Sequence, residues 1–155
     1  MRDTIENVIK ECKLERSRIH EVSHLKYASI IDKIDSTFIK NGGYLHWSNI
    51  TLRFKSCYPL KHYSVSDNPL WFQELDRIIP NELCYVLFED INRCRTKYWL
   101  YEMFPQELIT VLSEVPYDDF YIVSKKFKWL ISECHEEVVY FVGEEFHLEK
   151  SKCFT

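Results

Sequence analysis

The sequence predicts one α+β domain over residues 1–155, built on an antiparallel sheet of about five or six strands. Two N-terminal helices and one or two inserted helices complete the predicted fold. Three observations lead to this class: helical apolar spacing before residue 40, strand patterns after residue 83, and short polar connections between those strands. The chain has 3 Gly and 5 Pro and no stretch enriched in both, so no linker divides it.

The two N-terminal helices are predicted from apolar side chains at helical spacing. In the first helix these side chains are Ile5, Val8, Ile9 and Cys12. The second helix is predicted over about residues 22–40, with one apolar stripe formed by Tyr27, Ile31, Ile34 and Phe38. It should end at Asn41-Gly42-Gly43, because glycine readily adopts the left-handed conformation that closes a helix.

The middle of the chain gives weaker signals. Leu45 and Trp47 alternate with polar neighbours and predict a strand that begins at Tyr44, and Leu52 and Phe54 continue the alternation in the opposite phase. Residues 57–66 show no clear period. Asn68-Pro69 then predicts the start of a short helix.

The C-terminal half predicts an antiparallel meander interrupted by one helix. The predicted strands are residues 83–88, 98–103, 120–123, 128–132 and 138–142. Phe104-Pro105 opens the helix, which ends before Pro116. The strand at 120–123 is apolar on both faces, which predicts a central strand covered on each side. We expect the two N-terminal helices together to cover one of these sides.

Composition excludes several classes of function. The formal net charge is −4 and no long basic stripe is present, which argues against a nucleic-acid partner. No apolar run is long enough to cross a membrane. The six cysteines form no C-x-x-C pair, and Met1–Lys10 is polar rather than a secretion signal. These features predict a reduced, cytoplasmic protein without cofactors, whose oligomeric state the sequence leaves open.

One motif suggests a hydrolase as the alternative function. His20-Glu21-Val22-Ser23-His24 matches H-E-x-x-H, in which two helical histidines bind Zn²⁺ and the glutamate acts as general base. The flanking residues are charged and no third ligand is evident at a characteristic spacing. The preferred interpretation is therefore two exposed histidines, His20 and His24, near a helix junction with Glu21 beside them.

The leading hypothesis is a non-enzymatic protein-binding module. Acidic side chains cluster around one predicted hairpin turn, where an acidic surface would attract a basic partner. Aromatic residues make up 15% of the chain and supply contact anchors. Cys134-His135 at this turn is not interpreted as a nucleophile with its base, because neighbouring strand residues point to opposite faces. The predicted binding residues are Glu133, His135, Glu136, Glu137 and Tyr140.

Two segments resemble known families. The segment Phe38-Ile39-Lys40-Asn41-Gly42-Gly43 is similar to the helix followed by N-G-G in SUKH-type toxin-immunity proteins, although their Leu-Pro pair before this helix is missing here. The run from Asp118 to Glu133 resembles the C-terminal part of small bacterial proteins of unassigned function. The SUKH resemblance implies an α+β immunity protein that neutralises a protein partner, such as a toxin or defence protein, by covering it.

Overall fold

The computed structural model describes residues 1–49, 59–90, 98–144 and 146–154. Within them lies one antiparallel sheet of seven strands, in the order β1-β4-β3-β5-β6-β7-β2. The α+β class and the antiparallel sheet are confirmed, but the predicted five or six strands were too few. The strands are β1 (Ile19–Glu21), β2 (Leu60–Ser64), β3 (Cys84–Glu89), β4 (Tyr98–Met103), β5 (Phe120–Ser124), β6 (Trp129–Cys134) and β7 (Val138–Gly143).

The two strands that sequence analysis missed are the edges of the sheet. β1 has three residues, which is too short to show an alternation. β2 is exposed at four of its five positions, so it carries no apolar face that a period of two would reveal. Both edge strands therefore depend on pairing with a longer neighbour, β4 for β1 and β7 for β2.

Helices pack on both faces of this sheet. A 3₁₀ turn at Trp71–Glu74 leads into the short helix Leu75–Ile78, and a second 3₁₀ turn spans Leu148–Lys150. The hydroxyl of Ser23 accepts a hydrogen bond from the Leu25 N–H at the start of the helix His24–Phe38. The helices are α1 (Arg2–Glu11), α2 (His24–Phe38), α3 (Leu75–Ile78) and α4 (Pro105–Glu114).

Three predictions for the segment after α2 have different outcomes. The helix ends at Phe38, slightly before the predicted Lys40, because Ile39 is already extended. The strand predicted from Tyr44 is wrong: residues 44–46 are irregular and residues 47–49 are helical. The continuation of that strand through Leu52 and Phe54 falls outside the described residues.

The two N-terminal helices lie on opposite faces of the sheet, so the expectation that they cover the same face is wrong. α1 packs with α3 and α4 against one set of alternating strand residues, which includes Phe120 and Ile122. α2 packs against the other set, which includes Tyr121 and Val123. The edge strand β1 carries the chain from one layer to the other. All five residues of β5 are buried, which confirms the central strand covered on both sides.

No helix within the described residues is long and apolar enough to cross a membrane.

The end of β7 has a strict requirement for glycine. Gly143 has φ of +99°, in the region that favours glycine, and its N–H donates to the carbonyl of Pro59 at 2.8 Å. A Cβ added there would lie 2.4 Å from the carbonyl oxygen of Lys128. Gly42 also has positive φ, +68°, but a Cβ added at that position would have no atom within 4 Å beyond its immediate chain neighbours.

We expect Gly143→Ala to lower the free energy of unfolding by about 2–4 kcal/mol, because backbone strain and a steric clash act together. Gly42→Ala is the matched control, because it introduces backbone strain without a steric clash. It should lower the free energy of unfolding by about 1–2 kcal/mol. Urea denaturation of both variants tests this. Equal losses in the two variants would show that contact with β6 does not constrain position 143.

Candidate functional site

A cleft of about 360 Å³ opens at one end of the sheet, where β3 and β6 end and β5 begins. We call it the terminal cleft. Antiparallel neighbours bring the end of one strand beside the start of the next, so polar residues that flank different strands meet here. The lining residues are His46, Trp47, Glu89, Asp118, Asp119 and His135.

A buried carboxylate fixes the histidine of the terminal cleft. Asp119 Oδ1 accepts a hydrogen bond from the His135 backbone N–H at 2.8 Å and lies 3.0 Å from His135 Nδ1. The Asp119 side chain is 6% exposed, whereas that of His135 is 55% exposed. The hydrogen bond and charge of Asp119 raise the pKa of His135. Because an ionised carboxylate only accepts, Nδ1 carries the proton and Nε2 is the acceptor of the neutral ring.

Trp47 forms an aromatic wall of the terminal cleft. Its ring centroid lies 5.3 Å from that of His135, with the two planes nearly perpendicular at 88°. The ring centroid of His46 lies 5.6 Å from that of Trp47, and His46 Nδ1 accepts from the Ser48 N–H at 3.3 Å. Since that interaction uses the Nδ1 lone pair, the neutral His46 ring has its proton on Nε2.

The segment that carries Trp47 is attached to the rest of the fold by hydrogen bonds to α2 and β4. The Leu45 N–H donates to Asp35 Oδ1 on α2 at 2.7 Å. The Tyr98 hydroxyl on β4 donates to the Leu45 carbonyl. Within the segment, Asn49 Nδ2 donates to the Tyr44 carbonyl at 2.7 Å. These contacts hold residues 44–49 against α2 and β4, and thereby place Trp47 beside His135.

The terminal cleft and its margin are acidic. Asp118 is exposed, Asp119 is buried and Glu89 is half-buried. The carboxylates of Asp119, Glu136 and Asp118 all contribute to the raised pKa of His135, which shows that their negative charges converge on the imidazole. Glu136 and Glu137 are exposed on the turn between β6 and β7.

The five predicted binding residues do not form one surface. His135 lines the terminal cleft, and Glu136 and Glu137 flank it on the turn. Tyr140 is 8% exposed and packs on the α2 face of the sheet. Glu133 points to the opposite face, where Trp71 Nε1 donates to its carboxylate. Alternation along a strand explains this separation, since Glu133 pairs with Val139, the residue before Tyr140.

Five lining residues were not predicted: His46, Trp47, Glu89, Asp118 and Asp119. His46 and Trp47 come from the segment after α2, and no local pattern links that segment to the β6–β7 turn. The adjacent carboxylates Asp118-Asp119 before a strongly apolar strand were the available signal. A buried acid at a strand start needs a hydrogen-bond partner, and that partner is His135.

The H-E-x-x-H segment does not form the single helical turn on which this motif binds zinc. His20 and Glu21 lie on β1, and only His24 belongs to a helix. His20 Nε2 is 3.3 Å from Glu102 Oε2, and Glu21 Oε2 accepts from Arg2 Nε at 2.8 Å. The helical spacing that would direct both imidazoles to one metal is therefore absent. No group of three potential metal-ligating side chains is present in the described residues.

A second cleft, of about 400 Å³, lies at the start of α2 and is lined by Glu21 and His24 among others. Charged and aromatic side chains line this second cleft, but the Glu21 carboxylate is already paired with Arg2. The two histidines of the H-E-x-x-H segment are therefore separated: His20 lies on the edge strand β1 and His24 lines the second cleft.

We expect Asp119→Asn to lower the pKa of His135 toward its ordinary value, because the charge that favours the imidazolium is removed. The measurement is an NMR titration of the His135 ring, with the backbone spectrum as a check that the variant is folded. Asp76→Asn, which removes an exposed carboxylate on α3, is the control and should leave the His135 titration unchanged. An unaltered His135 pKa in folded Asp119→Asn would contradict the assigned pair.

The half-buried carboxyl of Glu133 makes the stability of the fold depend on pH. The pKa of Glu133 is raised to about 7, mainly by burial of its carboxyl. The hydrogen bond from Trp71 acts in the opposite direction and lowers the pKa, while the charge of Glu137 raises it a little further. In the unfolded chain the pKa is near 4.5. As pH rises from 4.5 to 7 the unfolded chain loses this proton first, so folding becomes less favourable over that interval.

We therefore expect Glu133→Gln to stabilise the fold at pH 8 by about 1–3 kcal/mol and to have little effect at pH 4. Glutamine keeps an oxygen acceptor for Trp71 and cannot ionise. Urea denaturation at both pH values measures the difference, with the exposed Glu136→Gln as control. If the effect of Glu133→Gln were the same at pH 4 and pH 8, its carboxyl would not titrate abnormally.

Comparison with known proteins assigns the chain to a family but not to an activity. A model described as "Family of unknown function (DUF6756)" matches residues 1–153. No curated protein and no solved structure gives a significant match. The resemblance to SUKH-type proteins is not tested by this match and stays a prediction. Because the family model spans nearly the whole chain, the protein belongs to DUF6756, a family of unknown function.

Proposed function

We propose that this protein is a non-enzymatic protein-binding module, of the immunity or inhibitor kind, which binds its partner through the terminal cleft and the adjacent β6–β7 turn. The observation that carries the proposal is the Asp119–His135 pair beside Trp47, with exposed carboxylates around it. Such a surface combines an aromatic anchor with oriented polar groups, as the central parts of protein interfaces do.

The chemistry around His135 supports binding rather than nucleophilic catalysis. The neighbouring thiol of Cys134 is buried, and burial raises its pKa. Its Sγ lies 3.7 Å from the carbonyl of Val138, to which it donates. A thiol protonated in this way is a poor nucleophile. The exposed imidazole of His135, which Asp119 holds in place, is therefore better suited to form a hydrogen bond with a ligand than to activate Cys134.

The charge of the turn supports a basic partner. Asp118, Glu136 and Glu137 are all exposed near the terminal cleft, and the whole chain has a formal charge of −4. Complementary charge accelerates association and discriminates against acidic competitors. The resemblance to immunity proteins suggests a cytoplasmic toxin or defence protein as this partner.

Affinity capture with the purified, immobilised protein tests the proposal. The wild type should retain a protein from a lysate of the source organism, and less of it at ~0.5 M salt, where charge interactions are screened. The double variant Trp47→Ala/Asp118→Asn should retain at least about tenfold less, which corresponds to about 1.4 kcal/mol.

The matched control is Leu70→Ser/Asp76→Asn, which changes an exposed apolar residue and an exposed acid away from the terminal cleft. It should bind like the wild type. The proposal fails if no protein is retained specifically, or if the two double variants lose binding equally. Stoichiometric zinc in the purified wild type, lost in His20→Ala/His24→Ala, would instead favour the hydrolase hypothesis.

A further inference from the structure

We infer that the terminal cleft binds the guanidinium group of an arginine side chain. The inference rests on the proposed binding function and specifies the chemistry that the cleft recognises.

Three carboxylates, those of Glu89, Asp118 and Asp119, line the terminal cleft. Asp119 holds the Nδ1–H of His135, so the neutral ring presents the Nε2 lone pair on its opposite edge. The imidazolium, which Asp119 favours, presents an N–H there instead, so Nε2 accepts from a ligand only when His135 is neutral. Asp118, exposed beside it, presents a carboxylate, which only accepts. Guanidinium has five N–H donors and no acceptor, and is therefore complementary to such a lining.

The aromatic wall favours a cation over a neutral donor. Trp47 lines the cleft, and indole is the strongest of the aromatic side chains in attracting a cation. Guanidinium combines that attraction with a planar shape that stacks on aromatic rings and pairs with carboxylates through two parallel hydrogen bonds. An ammonium group is a compact, strongly hydrated charge without this planar match.

Size is compatible with one side chain rather than a larger ligand. The cleft volume of about 360 Å³ lies at the small end of the range for ligand pockets. An arginine presented by a partner protein would enter from the acidic margin formed by Glu136 and Glu137. The rest of the interface would then lie on the β6–β7 turn.

The test is an NMR titration of the full-length protein with N-acetyl-arginine N-methylamide, at a pH above the pKa of His135 so that its ring is neutral, following the Trp47 indole N–H and the His135 ring. We expect saturable shifts of both signals. The isosteric citrulline derivative, which lacks the charge, should bind at least about tenfold more weakly, and so should the lysine derivative. Equal binding of arginine and lysine would overturn the assignment to guanidinium, and equal binding of citrulline would overturn the requirement for a cation.

Variants of the protein locate the site. Asp118→Asn and Trp47→Leu should each weaken arginine binding at least about fivefold, while Asp76→Asn should not change it. Shifts of the His135 ring that persist unchanged in both cleft variants would place the ligand elsewhere and overturn the inference. Specific capture of a protein partner without any arginine response would overturn this inference and leave the proposed function standing. An arginine response without a protein partner would overturn the proposed function and leave this inference standing.

Discussion

The fold depends on the burial of both faces of β5. This strand lies in the middle of the seven-stranded sheet, and each of its residues is buried. Its two apolar faces require a layer of helices on each side, since either face would otherwise be exposed to water at a cost of about 25 cal/mol for each Å². One face is covered by α1, α3 and α4, and the other face is covered by α2.

The same constraint positions the terminal cleft. Asp119 immediately precedes β5, so its side chain is drawn into the interior at the end of the sheet. Pairing of Phe120 with Glu133 brings the end of β6 alongside, and the first residue of the following turn is His135. The α2 layer ends in the segment that carries Trp47. A buried acid, an oriented imidazole and an indole thus meet because the sheet and the α2 layer end at the same place.

Some of this arrangement could be predicted from the sequence. The spacing of Ile5, Val8 and Ile9 predicted α1, and the apolar run from Phe120 to Val123 predicted a central strand with cover on both faces. Which helix covers which face could not be predicted, because an amphipathic stripe is equally suited to either side of the sheet. The edge strands also escaped detection, since β1 is too short and β2 too exposed to show a period.

The candidate site was predicted only in its position on the β6–β7 turn. His135 and the exposed Glu136 and Glu137 lie there, but Glu133 and Tyr140 face opposite sides of the sheet. The decisive contacts of His135 are with Asp119 and Trp47, and both are long-range. In the H-E-x-x-H string, by contrast, the local pattern was misleading. Its spacing suggests that both histidines share one helical face, whereas His20 and Glu21 lie on β1 and only His24 lies on α2.

The terminal cleft forms because the segment after α2 meets the β6–β7 turn. Nuclear Overhauser effects between the Trp47 indole protons and the His135 ring protons report on this contact, since the ring centroids lie 5.3 Å apart. The structure predicts clear cross-peaks in the unliganded protein. Their absence, in a sample whose strand pairings give the expected cross-peaks, would contradict the cleft and the function proposed for it.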